Sequence, residues 1–167
     1  MTLPRPDADD ASHGSVSGAV PHDLIELLFF AYRDFVGDPD RILADYGFGR
    51  AHHRVLHFVQ RRPGLTIAEL LDILQITKQS LNRVLKELVE KGYIEQRTGR
   101  QDKRQRHLHT TPSGQDLALR LVRLQAERIN RALEGAAPET AAIAARYLAA
   151  LIDPAERPKV ERLLDKP

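Results

Sequence analysis

Residues Leu65–Gly114 read LTIAELLDILQITKQSLNRVLKELVEKGYIEQRTGRQDKRQRHLHTTPSG, and this stretch decides the fold. Two short helix patterns lie back to back in it, followed by a basic hairpin. The first opens with a capping box: Thr66 is the cap, Glu69 lies three residues on, and Leu65 can staple onto Leu70. Ile67, Leu70, Leu71 and Leu74 give that helix one apolar face. Gln75-Ile76 leaves room only for a turn. A second helix follows with Thr77 as its N-cap. Its apolar positions Leu81, Val84, Leu85 and Leu88 have the i, i+3, i+4, i+7 spacing of a single buried stripe. Gly92 ends it, with Lys91 in the last turn. Two helices joined by a tight turn, the second polar on its outer face, is the arrangement by which a helix-turn-helix reads a DNA major groove.

The outer face of the second helix carries the chemistry. Gln79, Asn82, Arg83 and Lys86 repeat at i, i+3, i+4, i+7 on the side away from the leucines, with Lys78 and Ser80 beside them in the first turn. None of the six is acidic. Arg and Lys suit guanine edges, and Asn and Gln suit adenine edges. A merely solvated face usually mixes both signs of charge. Here the acids Glu87 and Glu90 fall only in the last turns, away from the N-terminal residues that approach bases.

Ile94–Arg97 and Arg106–Thr110 read as short strands, with Ile94, Gln96, Leu108 and Thr110 recurring on one face. The tip between them is TGRQDKRQ. From Arg97 to Arg106 five bases (Arg97, Arg100, Lys103, Arg104, Arg106) stand against one acid, Asp102. From Lys78 to His109 nine basic and four acidic residues give a local net of +5, while the whole chain is only +2. The remainder is therefore net negative, and positive charge is concentrated on one unit, the footprint of a phosphate-backbone partner. A basic hairpin beside such a helix is a wing, and an Arg at its tip suits a narrow A·T minor groove.

The run Asp102-Lys103-Arg104, followed by Thr111 and Gly114, resembles the D-x-R…L-T-x-x-G wing pattern of the MarR family of winged-helix regulators, and the helix pair upstream sits at that family's spacing. Thr110 departs from the pattern, which has Leu there, and the exchange predicts weaker packing of the second wing strand. GRAHHRVLHFV (49–59) and ITKQSLNRVL (76–85) are similar in wording to a PetP-like subgroup of the family. The resemblance covers about residues 21–152. It implies a homodimeric regulator that binds double-stranded DNA at a pseudo-palindromic operator. It also implies that Asp102 orients Arg104, that Arg104 enters the minor groove, and that a small molecule, often an aromatic carboxylate, binds between the wing-bearing lobe and the dimer helices. Arg33, His53 and His57 are candidate polar contacts for such an effector.

Composition narrows the alternatives. With 42% hydrophobic and 29% charged residues, the 167-residue chain is long enough for a core. Aromatic residues are scarce and Trp is absent, which argues against base-stacking platforms for single strands or RNA loops. Without Cys there is no disulfide, thiolate switch or cysteine nucleophile. A Gly-rich phosphate loop, G-x-S-x-G and H-E-x-x-H are also missing, so no enzyme is expected and no cofactor. No apolar run approaches the roughly 20 residues of a membrane span, and no apolar leader precedes the first helix, so the expected location is cytoplasmic.

The flanks complete the expected architecture. It is mainly α with a small antiparallel β-wing: a winged helix-turn-helix lobe over 50–111, within a single domain over 21–152. Helices over 22–47 and 112–152 form a dimerisation region. Residues 1–20, with three Asp and two Pro, are predicted to be a disordered acidic tail, and 153–167 a tail or one short helix. The first helix pattern, from His22, is apolar on more than one side, as a subunit interface requires. Gly37 should end it, and Asp38-Pro39 should start a second piece as N-cap and N1. Thr111-Pro112 repeats that signature before a long helix. His53 and His57 stand i, i+4 on the 50–62 helix, where a metal- or haem-responsive sensor is the alternative, but no third ligand is apparent and no metal site is assigned. His107 and His109 share one face of a wing strand and are expected to meet DNA or solvent. A winged helix that binds only protein is the other alternative, and it would lack the basic tip.

Overall fold

The computed structural model describes residues 21–99 and 105–165. The predicted acidic tail over 1–20 and the wing-tip residues Arg100, Asp102, Lys103 and Arg104 lie outside the described residues. The elements in chain order are α1 (His22–Asp45), α2 (Arg50–Arg61), β1 (Leu65–Thr66), α3 (Ile67–Leu74), α4 (Lys78–Glu90), β2 (Ile94–Thr98), β3 (Arg106–Thr110), α5 (Pro112–Leu133), α6 (Thr140–Leu151) and α7 (Arg157–Leu164). Leu27–Ile129 form one compact unit, and the described residues on either side belong to a second.

The helix pair forms as the caps dictate. Thr66 accepts a hydrogen bond from the Glu69 amide at 3.2 Å, and the Glu69 carboxylate accepts from the Thr66 amide at 2.8 Å, a closed capping box. Gln75, at φ 51°, turns the chain between the helices in the left-handed region. Thr77 then accepts from the Ser80 amide at 3.2 Å and starts α4. The stripe is buried as its spacing requires: Leu81, Val84, Leu85 and Leu88 are each almost fully enclosed. They join Leu43, Val55, Leu56, Val59, Leu70, Ile94, Leu108, Leu117 and Leu121 in one core cluster.

Two features differ from the sequence-based expectation. The break at Gly37–Pro39 does not occur, and α1 runs unbroken through Pro39 to Asp45. Proline already has a helical φ, so the cost is one missing donor and a local clash. Pro39 and Leu43 are buried, and Asp38 is bonded by Arg128 of α5 at 2.6 Å, so tertiary contacts hold the helix through the weak point. The second difference is a third strand. β1 pairs with β3 (Leu65↔Leu108, Thr66↔His107), so the sheet order is β1-β3-β2. Two residues carry no periodic signal, which hid this strand in the sequence. The β2–β3 register places Ile94 opposite Thr110 and Gln96 opposite Leu108, the pairing that their recurrence predicts. Thr110 is not merely a weaker leucine: its hydroxyl donates to Gln60 Oε1 of α2 at 2.6 Å.

The wing closes on a small knot. The Thr111 amide donates to the Tyr93 carbonyl at 3.1 Å, and its hydroxyl donates to the Gly92 carbonyl at 2.6 Å. The same oxygen accepts from the Gly114 amide at 3.1 Å and so caps α5. Gly92 ends α4 at φ +76°, where a side chain would be strained. Gly114 is required by space: a Cβ there would stand 1.9 Å from the Tyr93 carbonyl oxygen.

In the second unit, α6 and α7 bury no residue fully within the chain. Arg157 donates to the Ile152 and Ala150 carbonyls at 3.0 and 2.8 Å, satisfying the C-terminal end of α6.

Gly114→Ala should destabilise the fold by about 2–3 kcal/mol through forced separation of α5 from the α4–wing junction. Urea unfolding measures this. A midpoint within error of the parent would contradict the close approach described.

Candidate nucleic-acid interface

α4 is divided lengthwise. One side is the leucine stripe just described. On the other, Lys78, Gln79, Ser80, Asn82, Arg83 and Lys86 are all exposed. Ser80 Oγ accepts from Thr77 Oγ1 at 2.9 Å, which leaves its own hydroxyl proton for another partner. Lys86 lies 3.8 Å from Glu90, an exposed pair worth at most about 1 kcal/mol and open to exchange. Among the described residues, Lys78, Gln79, Asn82 and Arg83 have no ion-pair or side-chain hydrogen-bond partner. This face therefore presents unspent donors over the first two turns of the helix.

The helix is fixed in place from behind. His52 of α2 stands 2.9 Å from Glu87, and Lys91 donates to the Tyr46 carbonyl at 2.7 Å while lying 4.6 Å over the Phe48 ring. Tyr93 packs edge-on against both Tyr46 and Phe48. The C-terminal end of α4 is thus clamped to the α1–α2 corner.

On the wing, Arg97 and Arg106 are exposed. Arg97 Nε donates to Glu95 Oε1 at 2.9 Å, so part of its charge is compensated locally. Arg106 hydrogen-bonds the Thr98 hydroxyl across the strand pair and keeps its charge. His107 departs from expectation: its Nδ1 is 2.8 Å from the Gly64 carbonyl, so it ties β3 to the α2–β1 turn instead of facing DNA. His109 is half-buried on the same face, and burial, with Arg97 beside it, lowers its pKa.

A cavity of about 270 Å³ lies between α1, α2 and α5. Tyr32, Phe35, Val36 and Phe58 supply its apolar wall, and His53, His57 and Gln125 its polar groups. Arg50 and Arg54 also line it. Arg50 Nε is bonded to Asp40 at 2.7 Å and Arg54 to the Tyr32 hydroxyl at 3.1 Å. The i, i+4 spacing of His53 and His57 thus brings both to one wall. Arg33 is not brought there: it pairs with Asp34 at 2.8 Å and lies over Phe30. Burial pushes the His53 imidazole down to about 4 and, with Arg61 and Arg62 nearby, lowers that of His57. Among the described residues no group of three or more His, Cys, Asp or Glu side chains is arranged to hold a metal ion. No helix there is long and apolar enough to cross a membrane.

A helix-turn-helix, a hairpin docked at the end of its second helix and an exposed face of amide and cationic donors define a winged helix-turn-helix protein. The comparisons agree. A model described as MarR family matches residues 46–105. The HTH-type transcriptional regulator PetP of Rhodobacter capsulatus is 49% identical over 141 residues, 84% of this chain and 85% of that protein. A putative transcriptional regulatory protein for the hcr operon of Thauera aromatica is 29% identical over 108 residues, 65% of this chain and 63% of that protein. Among solved structures, Streptococcus pneumoniae FabT in complex with DNA superposes with a TM-score of 0.70 at 21% identity, covering 78% of this chain and 93% of that one. The transcriptional regulator SlyA gives 0.65 at 18% identity, covering 84% and 95%. At such identities the structures speak for the fold alone. The chain belongs to the MarR family. The expected likeness to a PetP-like subgroup is met by that relative's 49% identity, and the family's members are regulators, not enzymes.

Two partly buried imidazoles with lowered pKa tie stability to pH. Unfolded, His53 titrates near 6.5, and folded near 4, so between these values the unfolded chain binds more protons and stability falls as pH is lowered. Asp38, held below its ordinary 3.8 chiefly by its bond from Arg128, loses its contribution only at lower pH still. Urea unfolding across the higher window should show His53→Leu with a flatter pH dependence than the parent; identical slopes would contradict the burial of a neutral His53.

Proposed function

We propose that the chain is a homodimeric transcriptional regulator that binds a pseudo-palindromic operator in double-stranded DNA, with affinity modulated by a small molecule. The carrying observation is the divided α4. Its leucine side is locked into the core, and its outer side holds Lys78, Gln79, Ser80, Asn82, Arg83 and Lys86 exposed. A helix anchored in this way can enter a major groove without repacking. Arg83 and Lys86 are assigned to guanine edges, and Gln79 and Asn82 to adenine edges. Lys78, Ser80, Arg97 and Arg106 are assigned to phosphates. Arg100, Lys103 and Arg104, outside the described residues, are assigned to DNA as wing residues, with Arg104 in the minor groove and Asp102 orienting it as the family resemblance implies.

Dimerisation draws support from apolar surface that the chain leaves uncovered. On α1, Ile25 is 57%, Leu27 62% and Phe29 62% exposed. On α6, Leu148 and Leu151 are both more than half exposed. Large apolar side chains left exposed along a helix in this number are what a subunit interface would cover. Two copies would present two α4 helices to half-sites about 34 Å apart, one turn of duplex. The cavity beside His53 and His57 is assigned to the effector. Its walls are apolar with a few polar groups, as in small-molecule sites. The protein is assigned to the cytoplasm, where the DNA is.

Selection of bound duplexes from a random pool, followed by gel-shift titration at two salt concentrations, tests the assignment. Affinity should fall steeply with salt. Arg83→Ala should relax discrimination at one base position by about 1–3 kcal/mol. Undiminished, equally selective binding by this variant would refute the role of α4. Phe29→Glu should convert a dimer to a monomer in sedimentation while helicity persists, and should abolish binding to paired half-sites. A dimer that survives this change would place the interface elsewhere.

A further inference from the structure

Glu87 is an acid on the same helix as the proposed base-contacting residues of α4. It stands four residues after Arg83, and residues i and i+4 are neighbours on a helix surface. A free carboxylate there would pair with Arg83 and place negative charge beside DNA phosphates. The structure shows Glu87 turned to other use. Its Oε2 lies 2.9 Å from His52 Nε2. His52 is aligned for this from two sides. Its Nδ1 accepts the Gly49 amide at 3.1 Å, which leaves the ring proton on Nε2 and directs it at Glu87. Its ring stacks on Phe48 with centroids 4.7 Å apart and planes 19° apart. The His52 side chain is 12% exposed. The other i+4 neighbour, Lys91, is committed to the Tyr46 carbonyl and the Phe48 face. Among the described residues Arg83 has no ion-pair partner.

We infer that His52 is a positioning residue for DNA binding: by holding Glu87 against α2 it keeps Arg83 unpaired on the outer face of α4. His52 never meets DNA. It acts through Glu87, and its ring caps α2 in the same conformation, so helix start and charge control depend on one side chain. The inference rests on the assignment of Arg83 to DNA, and the test separates the two.

The test is a set of gel-shift titrations on one selected duplex at low salt, with urea unfolding as the control for folding. His52→Asn keeps an acceptor for the Gly49 amide and is too short to reach Glu87. It should weaken binding by about two- to fivefold, the scale of an i, i+4 ion pair plus added repulsion, and the deficit should shrink as salt rises. His52→Ala should do the same with a larger loss of stability. Adding Glu87→Gln to either variant removes the freed charge and should restore the affinity of the parent without restoring stability. In an Arg83→Ala background, the effect of His52→Asn should shrink to the small part that comes from repulsion between the freed carboxylate and phosphates. Failure of Glu87→Gln to restore binding, or a His52 effect undiminished without Arg83, would overturn the inference. If Arg83→Ala alone leaves affinity and selectivity unchanged, the assignment of Arg83 fails first, and the role of His52 fails with it.

Discussion

The wing can be held beside α4 because residues 92, 93, 111 and 114 meet at a single point. Strand pairing alone would leave a small sheet whose third strand, β1, is only two residues long. Here the hairpin's two ends are drawn together where the Thr111 amide meets the Tyr93 carbonyl. The Thr111 hydroxyl donates to Gly92 and accepts from Gly114 at once. It thereby finishes one helix, closes the wing and starts the next helix. The arrangement exists only because position 114 has no Cβ to collide with the Tyr93 carbonyl. Within the family pattern, Thr and Gly three residues apart are therefore a junction, not a DNA contact. The DNA-facing chemistry that the same pattern implies is proposed for Asp102 and Arg104, which lie outside the described residues.

Charge is distributed in the same economical way. The segment from Lys78 to His109 holds a net +5, although the chain holds +2. Acids inside this segment are not simply absent. Glu95 is taken by Arg97, Glu87 by His52 and Glu90 weakly by Lys86. What remains unspent on the described part of the face is Lys78, Gln79, Asn82 and Arg83, the set that sits on the first two turns. Net charge attracts a polyanion at long range; the distribution of partners decides which cations are available on contact.

Much of this was legible in the sequence because it rests on local rules. Capping boxes, a four-residue leucine stripe and a hairpin with five bases each specify their own conformation within a dozen residues. α3, α4 and the β2–β3 register accordingly formed where the spacing placed them. The misreadings share a different cause. Pro39 reads as a helix start, and only the burial of Pro39 and Leu43 and the Arg128–Asp38 bond, from 90 residues away, carry the helix through it. β1 is defined by its partner, not by its own two residues. His107 looked outward by alternation, yet the Gly64 carbonyl claims it. His52 gave no signal of its own, since neither Gly49 capping by a histidine nor a partner 35 residues away is written in any spacing.

The three histidines of α2 show how far helix face, more than residue type, decides chemistry. His53 and His57 fall together on the wall of the cavity, where partial burial lowers the pKa of both rings. His52 is one residue away and turned about 100° around the helix, so it meets Gly49, Phe48 and Glu87 instead. Val55, Leu56 and Val59 lie to either side of His52 and share the core cluster with the stripe of α4. One twelve-residue helix is thus at once the wall of the cavity and the backing of the outer-face helix. Interiors are close-packed and deform in discrete steps, not by smooth compression. The face of α2 away from the cavity is fixed to α4 by apolar packing and by the His52–Glu87 hydrogen bond.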